Sequence, residues 1–349
     1  MLSRLSQVTH HLVRRPSISS LRTMSDPFNK SIRTAACLII GDEVLNGKTV
    51  DTNSAYFAKY CFDLGIELKR IEVISDEESE IVEAARRMSA NYDFVVTSGG
   101  IGPTHDDITY PALAAAFDSP LELHKETAER MRRIVKARPN APPYDWDTPS
   151  ATLTARMRMA MLPSGPKTKV IYVAEDLWVP IAVVNHNVHV LPGIPRIFVQ
   201  MLEGLKSVLL EDKRIDQELK ATRVLISTPL VESDIAEFLT KLQERVAAKG
   251  VKVGSYPRWG QKWNTITLVG TDKEFVESLV EEVERQTKGK RVADEGEMDE
   301  PTETQTAEAE ANTEARHQGG SEVKEKQVPA PAPEQAELTH GIKDLKIDG

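Results

Sequence analysis

The chain has only two cysteines among 349 residues, Cys37 and Cys61. Two thiols without a short spacing exclude a disulfide framework and a cysteine-built zinc site. The expected state of both is a buried, reduced side chain. No run of about 18 uninterrupted apolar residues occurs, so no membrane span is expected. A charge excess of one sign is also missing from most of the chain. The net charge is -9, but residues 291–349 carry 15 acids and 6 bases, and residues 1–290 hold 38 of each. A balanced body gives no general argument for nucleic-acid binding. The first 24 residues lack any acid, and they combine Arg4, Arg14, Arg15 and Arg22 with five serines. That is the composition of a mitochondrial transit peptide, and it lacks the apolar stretch of a secretory signal. Met24 offers an alternative start, so the expected location is mitochondrial or cytoplasmic. At the other end, Val292–Ala336 is mostly Glu, Thr, Ala, Gln and Pro. So little apolar surface cannot offset the entropy of ordering, and disorder is expected there.

What is present is a body of strands alternating with helices. Ala35–Ile40 is a continuous apolar run ending at Gly41, the pattern of a strand buried on both faces of a parallel sheet. Thr52–Leu64 has helical periodicity and is stopped by Gly65. Glu67–Ile74 reads as a strand, Asp76–Ala90 as a helix with an acidic first turn, Tyr92–Thr97 as a strand and Ile108–Phe117 as a helix. Glu126–Ala137 and Ala151–Met161 read as helices. Val170–Val173, Ile181–Asn185 and Val188–Leu191 read as strands, and Pro195–Leu210 as a helix. These predict a three-layer α/β/α sandwich with a mostly parallel sheet over residues 31–215. A β-α-β-β-α succession then predicts a small α+β subdomain over residues 216–290. Residues 1–30 form the leader and 291–349 the acidic tail, giving disordered termini.

Ligands of such sheets bind beyond the C-terminal strand ends. Two polar turns fall there. The first is Gly41-Asp42-Glu43-Val44-Leu45-Asn46-Gly47, with Asp51-Thr52-Asn53 after it. Its paired carboxylates suit a hard divalent cation, or else a solvated turn; Asp51 suits the same ion or a helix cap. The second is Ser98-Gly99-Gly100-Ile101-Gly102-Pro103-Thr104-His105-Asp106-Asp107. Gly99, Gly100 and Gly102 permit close backbone approach, and their N–H groups can cradle a phosphate. Ser98 and Thr104 add hydroxyls. Asp106 and Asp107 repel phosphate unless a metal lies between; Asp106 can instead cap the next helix. Two further loops are open to either a structural or a binding role: Leu191-Pro192-Gly193-Ile194-Pro195, and Gly254-Ser255-Tyr256-Pro257-Arg258-Trp259-Gly260. The latter can stack a ring on Tyr256 and meet a phosphate with Arg258. His105 reads first as a surface-turn histidine.

Taken together, the two turns and Leu191-Pro192-Gly193-Ile194-Pro195 resemble the MoaB/Mog molybdopterin-binding superfamily. Within it the match lies nearest the CinA-type branch and the N-terminal, FAD hydrolase-like domain of animal FAD synthase. The aromatic loop is similar to that domain in particular. The resemblance covers roughly residues 33–288 and implies a nucleotide- or pterin-containing phosphate ligand. It further implies metal-dependent pyrophosphate hydrolysis of ADP-ribose or FAD, and the leading expectation is FAD split to FMN and AMP. Asp107 and Asp106 are then catalytic; Asp42, Glu43 and Asp107 hold Mg2+, Mn2+ or Co2+. Ser98, Gly99, Gly100, Gly102, Pro103, Thr104, Asn53, Pro192, Gly193, Tyr256 and Arg258 contact the substrate. The alternatives are molybdopterin binding or adenylation, and a non-catalytic flavin- or pterin-binding module. The expected partner is a small-molecule nucleotide, with no nucleic acid and no membrane, and a homo-oligomer is a family expectation. The polar tail after Lys288 does not resemble the adenylyl-transferring domain of FAD synthase or the deamidase domain of CinA proteins, so neither activity is expected.

Overall fold

The computed structural model describes residues 26–137, 144–258 and 260–294. The leader through Ser25, residues 138–143, Trp259 and the acidic tail from residue 295 lie outside them.

The first apolar run forms β1 (Thr34–Ile40), followed by a short helical turn, α1 (Asp42–Leu45), and α2 (Asn53–Asp63). Next come β2 (Glu67–Ile74), α3 (Glu78–Asn91), β3 (Phe94–Ser98) and α4 (Thr109–Ala116). The middle of the chain gives β4 (Leu121–Leu123), α5 (Lys125–Ala137), α6 (Ala151–Arg158) and β5 (Met161–Pro163). Then β6 (Lys169–Ile171), β7 (Ile181–Val184), β8 (Val188–Leu191) and α7 (Pro195–Glu211) complete the larger part.

Six of these strands form one sheet in the order β2-β1-β3-β8-β7-β6. The pairs β1–β2, β1–β3 and β3–β8 are parallel; β7–β8 and β6–β7 are antiparallel. The sheet reverses at Asn185 and His186, both left-handed, in the tight connection from β7 to β8. Because side chains alternate along a strand, β1 divides its apolar run between two cores. Ala35, Cys37 and Ile39 pack with Phe57 of α2 and with Phe198 and Leu205 of α7. Ala36, Leu38 and Ile40 pack with Ile81 and Met88 of α3 and Leu113 of α4. That two-sided burial is the three-layer α/β/α sandwich. Cys37 and Cys61 are free thiols buried in the first core. No helix among the described residues is long and apolar enough to cross a membrane.

The smaller part comprises β9 (Thr222–Thr228), α8 (Glu232–Val246), β10 (Lys252–Tyr256), β11 (Asn264–Gly270), α9 (Lys273–Ser278), α10 (Val280–Thr287) and β12 (Lys290–Val292). Its antiparallel sheet has the order β10-β11-β9-β12. One face buries Val224, Ile226, Ile266 and Leu268 against Ile235, Leu242 and Val283. The small α+β subdomain is therefore present, with a closing strand that the sequence pattern does not predict.

Two expectations need correction. The helix predicted to reach Met161 stops at Arg158, and Met161–Pro163 instead pairs with Leu121–Leu123. Three-residue strands are too short to show a period of two. The single last helix of the β-α-β-β-α succession is instead two helices split at Leu279, and Asp272 caps the first through Phe275 N–H at 2.9 Å.

Candidate functional site

The ends of β1, β2, β3 and β8 carry the candidate site. At β3 the chain turns through Gly99 (φ 110°) and Gly100 (φ 65°), conformations that glycine alone adopts cheaply. A Cβ on Gly99 would stand 2.1 Å from the Ile40 carbonyl oxygen, so the turn lies directly against the end of β1. Thr109, fully buried at the start of α4, fixes the turn from behind. Its N–H donates to Gly100 O at 2.9 Å and its hydroxyl to Gly99 O at 2.9 Å. With both carbonyls held, the N–H groups of Gly100, Ile101 and Gly102 have no acceptor among the described residues. Three adjacent free donors in a glycine turn form an anion cradle.

Asp107 closes the same loop. Its Oδ2 accepts from Thr104 N–H at 2.9 Å and from the Thr104 hydroxyl, and it packs so close to Gly102 that a Cβ there would stand 2.6 Å away. Asp106 and His105 project outward, with side chains 61% and 96% exposed. Pro103 and Thr104 are exposed on the loop's outer rim. Arg158, from the end of α6, donates to Thr104 O at 2.8 Å and overhangs a 360 Å³ cavity beyond Gly102. Tyr110 lines the same cavity and is buried, with its hydroxyl unpartnered among the described residues; burial pushes its pKa up.

The first acidic turn is joined to this loop by Asp76, just past the end of β2. Asp76 Oδ2 accepts Asp42 N–H at 2.9 Å, and Oδ1 faces Gly100. Burial raises the Asp76 carboxyl above its ordinary value; the Asp42 N–H opposes this, and the charges of Asp42, Glu43 and Asp106 add to it. Asp42 and Glu43 are exposed in α1. Asp51 caps α2 instead, accepting from Asn53 N–H at 2.9 Å and Ser54 N–H at 3.0 Å. The expected trio of Asp42, Glu43 and Asp107 is not gathered into a cage. Among the described residues, no three acidic, histidine or cysteine side chains stand at metal-ligand spacing. Asp107 turns to Thr104 instead, whereas Asp76 is the carboxylate that neighbours Asp42.

Asn53, the first residue of α2, ties the ends of β3 and β8 together. Its Nδ2 donates to Ser98 Oγ at 2.9 Å and Gly193 O at 2.9 Å, while its buried Oδ1 has no partner among the described residues. Ser98 Oγ lies 3.4 Å from Pro192 O, and Gly193 approaches Gly99 so closely that a Cβ would be 3.4 Å from its Cα. Asn53, Ser98 and Gly193 line a slot of 60 Å³. Replacing Asn53 with Ala is expected to cost about 2 kcal/mol in urea unfolding, because both acceptors lose their donor in a buried place. An unchanged midpoint would contradict the tying role.

Neither Tyr256 nor Arg258 is among the residues lining the 360 Å³ cavity or the 60 Å³ slot at these turns. The small sheet meets the larger part through Lys252 Nζ, 3.2 Å from Glu67, and through Arg223, whose guanidinium lies 4.0 Å over the Phe62 ring. Glu67 is the first residue of β2, roughly 23 Å from the strand-end turns at 3.3 Å per residue. Tyr256 lies at the opposite end of β10 from Lys252, with 54% of its surface exposed.

Sequence reasoning missed Asp76, Thr109 and Arg158. Asp76 had a visible signal, since it follows a predicted strand directly, as Asp42 and Ser98 do.

Comparison with known proteins identifies the family. A family model described as a probable molybdopterin binding domain matches residues 36–212, and one described as the middle domain of FAD synthase matches residues 222–295. The chain belongs to the molybdopterin-binding-domain family. Its place is the CinA-type branch near FAD synthase. A probable FAD synthase of Caenorhabditis elegans is 31% identical over 264 residues, covering 71% of this chain and 49% of that protein. A protein of Pyrococcus abyssi is 33% identical, covering 71% of this chain and 94% of its own length. A CinA-like protein of Myxococcus xanthus is 31% identical over 203 residues, 57% of this chain and 45% of that protein. A solved CinA structure from Thermoplasma acidophilum is 27% identical with a TM-score of 0.41, covering 53% of this chain and 98% of that one. The chain thus spans about half the length of the FAD synthase relative. These relationships make the family's function flavin- or molybdopterin-related.

Proposed function

We propose that the chain is a metal-dependent dinucleotide pyrophosphatase that splits FAD into FMN and AMP. The observation that carries this reading is the row of free N–H groups at Gly100, Ile101 and Gly102, set beside a half-buried carboxylate. The cradle receives the diphosphate oxygens, and Thr109 and Asp107 keep it in shape. Arg158 stands at the rim to offset phosphate charge, and the 360 Å³ cavity has room for a ring system. Asp76 Oδ1 accepts no hydrogen bond among the described residues, and the raised pKa of the carboxyl suits it to take the proton of an attacking water. The water oxygen bonds to one phosphorus as the bridging P–O bond breaks, releasing FMN and AMP.

A divalent cation here would draw its hard oxygens from Asp42 and Asp76, which are joined through the Asp42 N–H; the described residues do not gather a third carboxylate at ligand spacing, so the diphosphate and water would complete the shell. Mg2+, Mn2+ or Co2+ held by these groups would neutralise the diphosphate and lower the pKa of water. Asp107 acts on the cradle's geometry in this reading.

The test incubates the full chain with FAD and each metal, following FMN release. Asp76→Asn is expected to lower kcat about 100-fold, in keeping with loss of a general base. Absence of FMN above a metal-free control would overturn the proposal. The match to a molybdopterin-binding model supports a second reading, binding or adenylation of molybdopterin, in which the same cradle holds the pterin phosphate. Retention of molybdopterin without turnover of FAD would favour it.

A further inference from the structure

A cavity of 540 Å³ lies away from the strand-end turns. It lies at the other end of the sheet, where the two folded parts meet. Phe62, Leu68, Leu219 and Val269 line it and are only half-buried, so apolar surface remains open to a ligand. Arg33, Arg223 and Lys252 stand on its walls, with Glu67 as the one carboxylate. Glu67 is already shared between Lys69 at 2.8 Å and Lys252 at 3.2 Å. The guanidiniums of Arg33 and Arg223 have no acidic partner among the described residues. Arg223 instead sits over the Phe62 ring at 4.0 Å, a contact that restrains its guanidinium without neutralising it. Pockets of this size at domain junctions commonly take small molecules, and unpaired guanidiniums match phosphate geometry.

From this juxtaposition we infer that the junction is a second ligand site, taking an aromatic mononucleotide. The phosphate meets Arg33 and Arg223, and the planar ring lies on the apolar floor beside Phe62. Such a ligand touches β2 and α2 of one part and β9–β11 of the other, so its binding links the small subdomain to the larger one. The inference is independent of the chemistry proposed at the strand-end turns.

FMN is the probe, titrated into the full chain by calorimetry with EDTA present to prevent turnover. The double variant Arg33→Gln/Arg223→Gln is expected to lose one FMN site, or to bind at that site at least tenfold more weakly. Phe62→Leu, which keeps every charge, is expected to weaken the same site at least threefold. Riboflavin, which lacks the phosphate, is expected to bind at least tenfold more weakly than FMN. Inorganic phosphate at the same concentration is expected not to displace it. FAD hydrolysis by the double variant is expected to stay within twofold of the parent, which separates this site from the strand-end one. FMN stoichiometry and affinity unchanged in both variants would overturn the inference. Riboflavin binding as tightly as FMN would overturn the role of the arginines, and displacement by phosphate alone would overturn the role of the ring.

Discussion

Gly99→Ala is expected to destabilise the chain by about 3 kcal/mol or more and to abolish nucleotide binding at the strand-end turns. Two costs add. The residue's φ of 110° lies where an L side chain is rarely found, a penalty on the order of 1–2 kcal/mol. The added methyl would stand 2.1 Å from Ile40 O, which is backbone of a buried strand and cannot move aside like a side chain. Overpacking of that kind costs roughly 1–3 kcal/mol. Relief requires β1 and β3 to separate, and that displaces Gly100, whose carbonyl is tied to Thr109. The free N–H row then loses its alignment. Urea unfolding and FAD binding in EDTA measure the two effects on one protein. Gly47→Ala is the control: it shares a positive φ of 76° but has nothing within 4 Å of an added Cβ, so it should show the smaller conformational cost alone. Equal losses in the two variants would mean that contact with Ile40 is unimportant.

The contrast between those glycines shows what a sequence can disclose here. The run Ala35–Ile40 announces a strand covered on both sides, because only that environment tolerates apolar residues on both faces of the pleat. The strand-end turns are legible for a similar reason: Gly and Asp clusters directly after an apolar run mark a chain leaving the sheet into solvent. Partnership between turns is not legible. Asp76 follows a strand of mixed polarity and resembles the acidic start of α3, so its bond to Asp42 emerges only when β1 and β2 lie side by side. Arg158 reaches Thr104 from a helix 54 residues away, and no local period reports that. The sequence pattern offers Asp107 as a metal ligand, yet the oxygen it presents is bound to Thr104 in its own loop. The Tyr256–Arg258 loop has the chemistry of a ring-and-phosphate contact, yet neither residue lines the cavities at the strand-end turns, and no local pattern reports that.

Acid is expected to weaken the fold through one buried histidine on β8. His189 is fully enclosed, with Nδ1 3.0 Å from Asn187 O, Nε2 unpartnered and the Phe94 ring 4.7 Å away. Burial, reinforced by the positive charge of Arg214, pushes its pKa down from 6.5 to about 3. The unfolded chain therefore takes up a proton below pH 6.5 that the folded chain refuses. Stability from this group is complete above pH 6.5, falls as pH drops through the window, and levels off near pH 3. At about 1.4 kcal/mol per pH unit, the loss at pH 5 is about 2 kcal/mol. His189→Gln removes the titration and keeps a polar group for the Asn187 carbonyl. Its own packing cost is the same at every pH, so the slope of stability against pH isolates the histidine. Urea unfolding at pH 7.5, 6 and 5 should give the parent a slope steeper than the variant by that amount. Parallel slopes would mean that His189 accepts its proton without unfolding, through a local opening between β8 and the neighbouring Arg214.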